Sequence, residues 1–457
     1  MNPEFRRNLW LELTPRRLTL AAALLALIFF AAALSGGSGD RPAWIAGLLY
    51  YIIVVLWGSR SAALSVVGEI RDRTWDAQRL SSLGAGEMTW GKLLGSTIYN
   101  WYAGGICLAV MLAHSIAHTG ALAALFDLVY FVAIGLIAQA AAFLASLIAV
   151  SRRQVHSRAE IFLYQLAGIA AAVAVAWVGD AADPAGSMIA GRTPTQFIVW
   201  WGHAFGARPF LLVSLALFTA WTLAGCYRQM RLELKLENGP FVWLGFLVFI
   251  GIYAAGFDSW LSQSPQTAHW DLVALRLGLV ASTFAILTYI MVFLEPKDRV
   301  HFRWLGGQLA RGRIDRVLWG LESFLTSYIA MLLVSAALIG WLWSHDTAAI
   351  ADLALIAAGM GFITRDVALF VLLHALPGRR RGDFTAALVL FALYLLIPAI
   401  LNGLGLGGAL VFFYPRPTAP VWLAPAFGWA EAVVLVVLAL GRVALSDKRA
   451  AAESATA

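Results

Sequence analysis

Charge is scarce in this chain: only 13% of its 457 residues are Asp, Glu, Lys or Arg. A soluble globular protein carries about 25%, so the water-exposed surface that a soluble protein of this length needs is excluded. Cysteine is scarce too. Cys107 and Cys226 are the only two and fall in different apolar stretches, which rules out a disulfide framework or a cysteine-ligated metal site. Alternating period-two strands are missing, leaving helices as the spanning elements because their backbone polar groups are satisfied internally. A polytopic enzyme gathers acidic or histidine residues at one membrane face. Here the outer loops offer only the scattered Asp40, Asp180, Asp183, Asp258 and Asp271.

What is abundant is apolar: 61% of the residues, with a mean hydropathy of +0.76. Crossing about 30 Å of hydrocarbon takes about 20 helical residues. Twelve runs meet that length, near 18–35, 43–59, 93–116, 121–150, 160–178, 209–227, 240–257, 270–294, 317–343, 348–376, 384–402 and 421–445. The expected fold class is therefore an all-α, polytopic membrane protein with about twelve transmembrane helices. With both termini cytoplasmic, 27 of the 33 Lys and Arg fall in inner connections, including Arg6, Arg7, Arg16 and Arg17, the run from Lys297 to Arg316, and Arg379 to Arg381. Only Arg41, Arg192, Arg208 and Arg416 are outer, while Arg276 and Arg365 lie within spans. That is the positive-inside pattern of a multi-pass protein of the cell inner membrane. The net charge of +7 follows from this topology, with anionic lipid headgroups as the counter-charge and no sign of nucleic-acid binding. Residues 2–17 read as an amphipathic helix on the inner surface, with Phe5, Leu9 and Leu13 on one face, rather than as a cleaved leader.

Twelve spans suggest two six-helix domains, 1–228 and 240–457, joined by the charged connection 228–240, where Gly239 and Pro240 stop the helix. Two internal echoes point to a parallel repeat. Trp200, Ala204, Phe205 and Gly206 recur as Trp422, Ala426, Phe427 and Gly428. Trp90, Gly91, Thr97 and Tyr99 recur at one offset as Trp319, Gly320, Thr326 and Tyr328.

The longest polar interruption, GEIRDRTWDAQRLSSLGAGEMTWGKLLG over 68–95, is a platform rather than a turn. Asp72 is placed to cap a short helix carrying Trp75, Leu80 and Leu83, with Asp76 and Arg79 free of partners in that helix and available to another protein. Gly84 and Gly86 are expected to break it, and Lys92 to snorkel at the inner interface. The same stretch resembles the signature of ABC-2 class permeases, the membrane subunits of ABC exporters. The resemblance rests on Glu69, Thr74, the Arg79-Leu80-Ser81 patch, Glu87 and Gly91-Lys92-Leu93-Leu94, and covers about residues 1–228. It implies a coupling helix region seated on an ATPase subunit, with Glu69, Arg73, Thr74, Trp75, Asp76, Arg79, Leu80 and Glu87 in contact or support. ATP and Mg²⁺ would then belong to that partner, expected in two copies, and no cofactor to this chain. Ser82 departs from the family, which commonly has proline there, and such permeases often have six spans.

Gly86-x4-Gly91-Lys92 imitates a P-loop, but Leu93 replaces the Mg²⁺-binding hydroxyl residue and no strand precedes it. His114 and His118 stand at i,i+4 with no carboxylate or thiol near them in sequence, which reads as an interfacial pair rather than a metal site. Arg365 and Asp366 are the most interior charges. Either they are functional, as charges within a membrane usually are, or Arg365 snorkels inward. Glu431 and Asp127 also fall inside spans, where they line a pathway or pair between helices. The outer segments 179–208 and 403–420 either form short re-entrant helices, with Trp200, Trp201, Phe205 and Phe427 as gate candidates, or an interfacial aromatic belt. An exporter subunit is the first functional expectation; a twelve-span secondary transporter and a polytopic enzyme acting on lipid-linked substrates are the alternatives.

Overall fold

The structure is a computed structural model that describes residues 2–35, 40–151, 158–180, 197–236, 238–257, 269–295, 299–345, 350–375, 382–415 and 420–456. Helix makes up 86% of it, and among the described residues ten helices are long and apolar enough to cross a membrane. The chain is thus an all-α, multi-pass membrane protein. Two shorter apolar helices, Ile161–Ala176 and Phe241–Ala255, stand at the fifth and seventh of the twelve expected positions. The chain divides into two compact units, Met1–Ile198 with His203–Asn238, and Val199–Gly202 with Gly239–Ala457.

The first unit opens with α1 (Pro3–Glu12), started by Asn2, whose side-chain oxygen accepts from the Glu4 and Phe5 amides, and by Pro3 at the first helical position. The helix is shorter than expected and does not turn the Phe5 face inward. Its buried residue is Glu4, and it docks on α6 (Ala85–His118) through Glu4 and Asn8. Gly91 and Gly95 of α6 make this approach possible: a Cβ on either would come within 2.7 Å of a side chain of α1. The first span is α2 (Pro15–Leu34).

The second span is built in three parts: α3 (Arg41–Tyr50), a π-helical turn (Tyr51–Trp57) and α4 (Gly58–Arg71). A π-turn disrupts the regular i→i−4 ladder. Here three of its carbonyls receive side-chain amides from three other helices. Asn100 of α6 donates to Ile53 at 2.9 Å, Gln139 of α7 (Ala121–Ser151) to Val54 at 3.0 Å, and Gln165 of α8 (Arg158–Asp180) to Leu56 at 2.7 Å. Gln139 in turn accepts from the Trp101 indole at 2.8 Å. Gly58 makes room for it, since a Cβ there would lie 2.4 Å from the Gln139 amide nitrogen.

Between the second and third spans lies the five-residue α5 (Trp75–Arg79). After α8, residues 197–206 form a hairpin of β1 (Phe197–Trp200) and β2 (His203–Gly206), which leads into α9 (Ala207–Glu233). Trp201 and Gly202 have φ of 53° and 72°, the two left-handed residues that a tight hairpin turn demands. This corrects two expectations: period-two structure is present, and this part of 179–208 is not a re-entrant helix. Residues 181–196 lie outside the described residues.

The second unit contains α10 (Phe241–Ala255), α11 (Leu272–Leu294), a connecting pair α12 (Arg299–Ala310) and α13 (Ile314–Gly320), then α14 (Ser323–Ser344) and α15 (Ile350–Ala375). It continues through α16 (Gly382–Phe391), a second π-turn (Ala392–Leu396), α17 (Ile397–Gly403), a 3₁₀ turn (Gly407–Phe412) and α18 (Leu423–Thr456). Among the described residues, apolar helices and a helical connection after the second of them follow one another in the same order as in the first unit. Thr97 and Thr326 also share a local bond, each hydroxyl donating to the carbonyl four residues earlier. The other echo has no common backbone, since 203–206 is a strand and 423–428 is helix. Gly361 and Gly428 let α15 and α18 approach closely: a Cβ at Gly361 would lie 3.0 Å from the Gly428 backbone.

Candidate functional site

Where the second span passes to the third in the first unit, four helices meet on one ammonium group. Lys92 is 1% exposed. An ammonium has three donors and no acceptor, and all three are used: Lys92 Nζ donates to Glu4 at 3.2 Å, to the Gln78 side-chain carbonyl at 2.6 Å, and to Glu69. Glu69 also accepts from the Gln78 amide at 2.6 Å and from Arg7 at 3.2 Å. The Trp75 ring lies 5.3 Å from the ammonium, close enough for a cation–π contact. The node therefore ties α1, α4, α5 and α6 together. Lys92 does not snorkel, because its counter-charges are inside the protein.

Trp75 anchors α5 from the other side, buried in a core that includes Met88, Leu93, Phe143, Leu147 and Met230. With its back fixed in this way, α5 presents its front: the Asp76 side chain is 90% exposed and Leu80 is 88% exposed. Arg79 pairs with Asp76 at 3.6 Å, so these two charges are not free of partners within their helix. Asp72 does not cap α5 either; it closes α4, and Thr74 precedes α5 with its amide bonded to the Glu69 carbonyl at 2.9 Å. Arg73 turns the chain between the two helices at φ 57°. Glu87 caps α6 by accepting from the Gly84 amide at 3.3 Å, and Gly86 lies within α6 instead of breaking a helix. Gly86, Gly91 and Lys92, the P-loop imitation, are all helical and Lys92 is committed to carboxylates. Of the eight residues expected in the coupling region, Glu69, Thr74, Trp75 and Glu87 hold the platform and Arg73, Asp76, Arg79 and Leu80 form its turn and outer face. Glu4, Arg7, Gln78 and the true role of Lys92 were not legible.

Beside the node is a cavity of about 590 Å³, lined by Glu69, Arg60, Lys92, Ser96 and Tyr99 among others. The Ser96 hydroxyl is buried there with no hydrogen-bond partner among the described residues.

The second unit holds a different cluster. Arg365 is 3% exposed and does not snorkel. Its Nε donates to Asp366 at 2.9 Å and its Nη1 to Glu431 at 3.0 Å. The hydroxyls of Tyr289 and Tyr394 both donate to the other Asp366 oxygen at 2.6 Å. Tyr394 belongs to the second π-turn, so α11, α15, that turn and α18 converge on one buried ion pair. Glu431 is thus a pairing residue, as is Asp127 in the first unit, which accepts from Ser115 at 2.7 Å.

The gate candidates each pack against their own neighbours. Trp200 and Trp201 donate to the Tyr253 and Ile252 carbonyls at 3.1 and 3.2 Å, and the Arg276 guanidinium lies 4.3 Å from the Trp201 ring. Phe205 packs near Phe210, and Phe427 lies 4.4 Å from Phe412, centroid to centroid. His114 and His118 do have a carboxylate beside them: Asp40 lies 3.4 Å from the first and 4.0 Å from the second. No protein-family model matches the chain, and no curated protein or solved structure matches it either.

Proposed function

We propose that this chain is the membrane-spanning permease subunit of an ATP-driven exporter of the ABC-2 class. In this reading it has twelve spans in two six-helix units, both ends on the cytoplasmic side of the cell inner membrane. ATP and Mg²⁺ are handled by separate ATPase subunits. The observation that carries the reading is α5, a short helix between the second and third spans whose back is locked to three other helices through Trp75 and Lys92, while its front exposes Asp76 and Leu80. A helix held this way moves with the span ends, so force applied by a partner at its front passes to α1, α4 and α6 together. That is the mechanical requirement for coupling a partner's closure to a two-state membrane element. The polar inner cavity beside the node, walled by helices, suits the headgroup of an amphipathic substrate.

The test is recovery of an ABC ATPase subunit when the chain is purified from its native membranes. Leu80→Arg should abolish recovery while leaving insertion unchanged. Full recovery with the variant would remove α5 from the coupling path and the class assignment with it.

One observation favours a second reading, a twelve-span secondary transporter. Arg365, Asp366 and Glu431 form an ionisable network within helices, the arrangement from which ion and proton pathways are built. Transport in inverted vesicles that needs an ion gradient, and persists without ATP, selects this reading over the first.

A further inference from the structure

We infer that Asp40, His114 and His118 form a binding site for a divalent transition-metal ion of zinc type, joining the start of α3 to the end of α6. Two imidazole nitrogens and one carboxylate oxygen are a donor set that suits Zn²⁺. Both Nε2 atoms approach the same Asp40 oxygen, at 3.4 and 4.0 Å, and the three ligand atoms all lie within 4.8 Å of one another. Tetrahedral zinc with bonds of about 2.0–2.1 Å places its ligand atoms about 3.3 Å apart. The first pair already has that spacing, and small side-chain rotations bring in the second.

Three further observations point the same way. Asp40 stands at the N-cap of α3, where an Asp normally accepts from the helix amides, yet its side chain makes no capping bond and is turned to the histidines. The two histidines occupy the last turns of α6, where unpaired carbonyls carry partial negative charge and favour a cation. A cavity of about 260 Å³ adjoins them and leaves space for a water at the fourth position. Asp127 on this cavity adds negative charge and Arg208 opposes it.

The alternative is a pair of interfacial imidazoles with an ordinary ion pair to Asp40. Zinc titration by calorimetry of tag-free protein in detergent separates the two. One Zn²⁺ per chain is expected, with micromolar or tighter affinity. His114→Ala and His118→Ala should each weaken it by about 100-fold and Asp40→Asn by about 10-fold. His118 is the more exposed histidine, so its variant keeps the test valid if His114→Ala does not fold. Cobalt in place of zinc should give the visible absorption of a four-coordinate ion in the wild type and lose it in both histidine variants. Absence of zinc binding by the wild type, or equal affinity in the variants, overturns the site. The readout is metal binding alone, so it stands or falls separately from transport.

Discussion

Lys92 is a buried ion in the first unit whose three donors are all matched. Burying an ion costs several kcal/mol even after relaxation, and only a full set of partners offsets it. Lys92→Met removes the buried counter-ion of Glu4 and Glu69 and leaves them only the half-exposed Arg7. It should lower stability by about 3–5 kcal/mol, the usual effect of breaking a buried pair from one side. Thermal unfolding followed by tryptophan fluorescence reads this directly, and a melting temperature within a degree of wild type would mean that the ammonium contributes little. Lys92 stands near the start of the third span as the sequence suggests, yet it does not snorkel. Its partner Glu4 is 88 residues away, and no local pattern announces such a meeting. Arg365 shows the same blindness. Adjacent helical residues do not normally face each other, so the Arg365–Asp366 bond and the two tyrosines completing it come from packing alone.

At the scale of elements, helix existence was legible and helix irregularity was not. A π-turn leaves no mark in composition, because its stability comes from Asn100, Gln139 and Gln165 on other helices. Gln139→Leu strands both the Val54 carbonyl and the Trp101 indole. Hydrogen bonds between membrane helices average about 0.6 kcal/mol and reach about 1.7. Because two bonds are lost, a destabilisation of about 1–3 kcal/mol is expected. Asn100→Leu, which strands one carbonyl, should cost less. Equal stability of the Gln139 variant in detergent unfolding would show that the second span reorganises into regular helix. The hairpin escaped detection for a different reason: its turn is Trp201-Gly202, without the Asn-Gly or Asp-Gly pair that signals such turns. Gly202 carries φ 72°, so Gly202→Val should cost about 1–2 kcal/mol for forcing a side chain into the left-handed region. Far-ultraviolet and near-ultraviolet dichroism together check it, the aromatic signal of Trp200 and Trp201 falling while helix content stays.

For the whole molecule, the two native cysteines are buried, so introduced cysteines report topology cleanly. Positions 120 and 404 should react with an impermeant reagent from outside, and 235 and 312 only after the membrane is opened, as the basic asymmetry requires. Reaction of 235 from outside reverses the orientation and with it the proposed function. The number of partners is the harder question, and the helical connections of the two units bear on it. In the first unit α5 is fixed by ions behind and shows a charged, mixed face. In the second unit α12 and α13 are held differently: His301 Nε2 lies 2.8 Å from the Gly320 carbonyl, and Glu295 accepts the Ser323 and Phe324 amides at 2.9 and 2.8 Å to cap α14. Their exposed side chains include Leu309, Ile314, Leu318 and Trp319, a face suited to the acyl boundary of a bilayer as much as to a protein. The residues at the repeat offset from Arg73, Asp76 and Glu87 are Phe302, Leu305 and Arg316, which lack the acidic positions of the first platform. Under the proposed function one permease chain therefore binds two ATPase subunits unequally, with α5 dominating. Leu80→Arg should abolish ATPase recovery, whereas Leu318→Arg should leave most of it. Native mass measurement of the purified complex decides the count: one permease with two ATPases supports two docking sites on one chain, and two permeases with two ATPases would make the second unit an accessory domain and sink the idea.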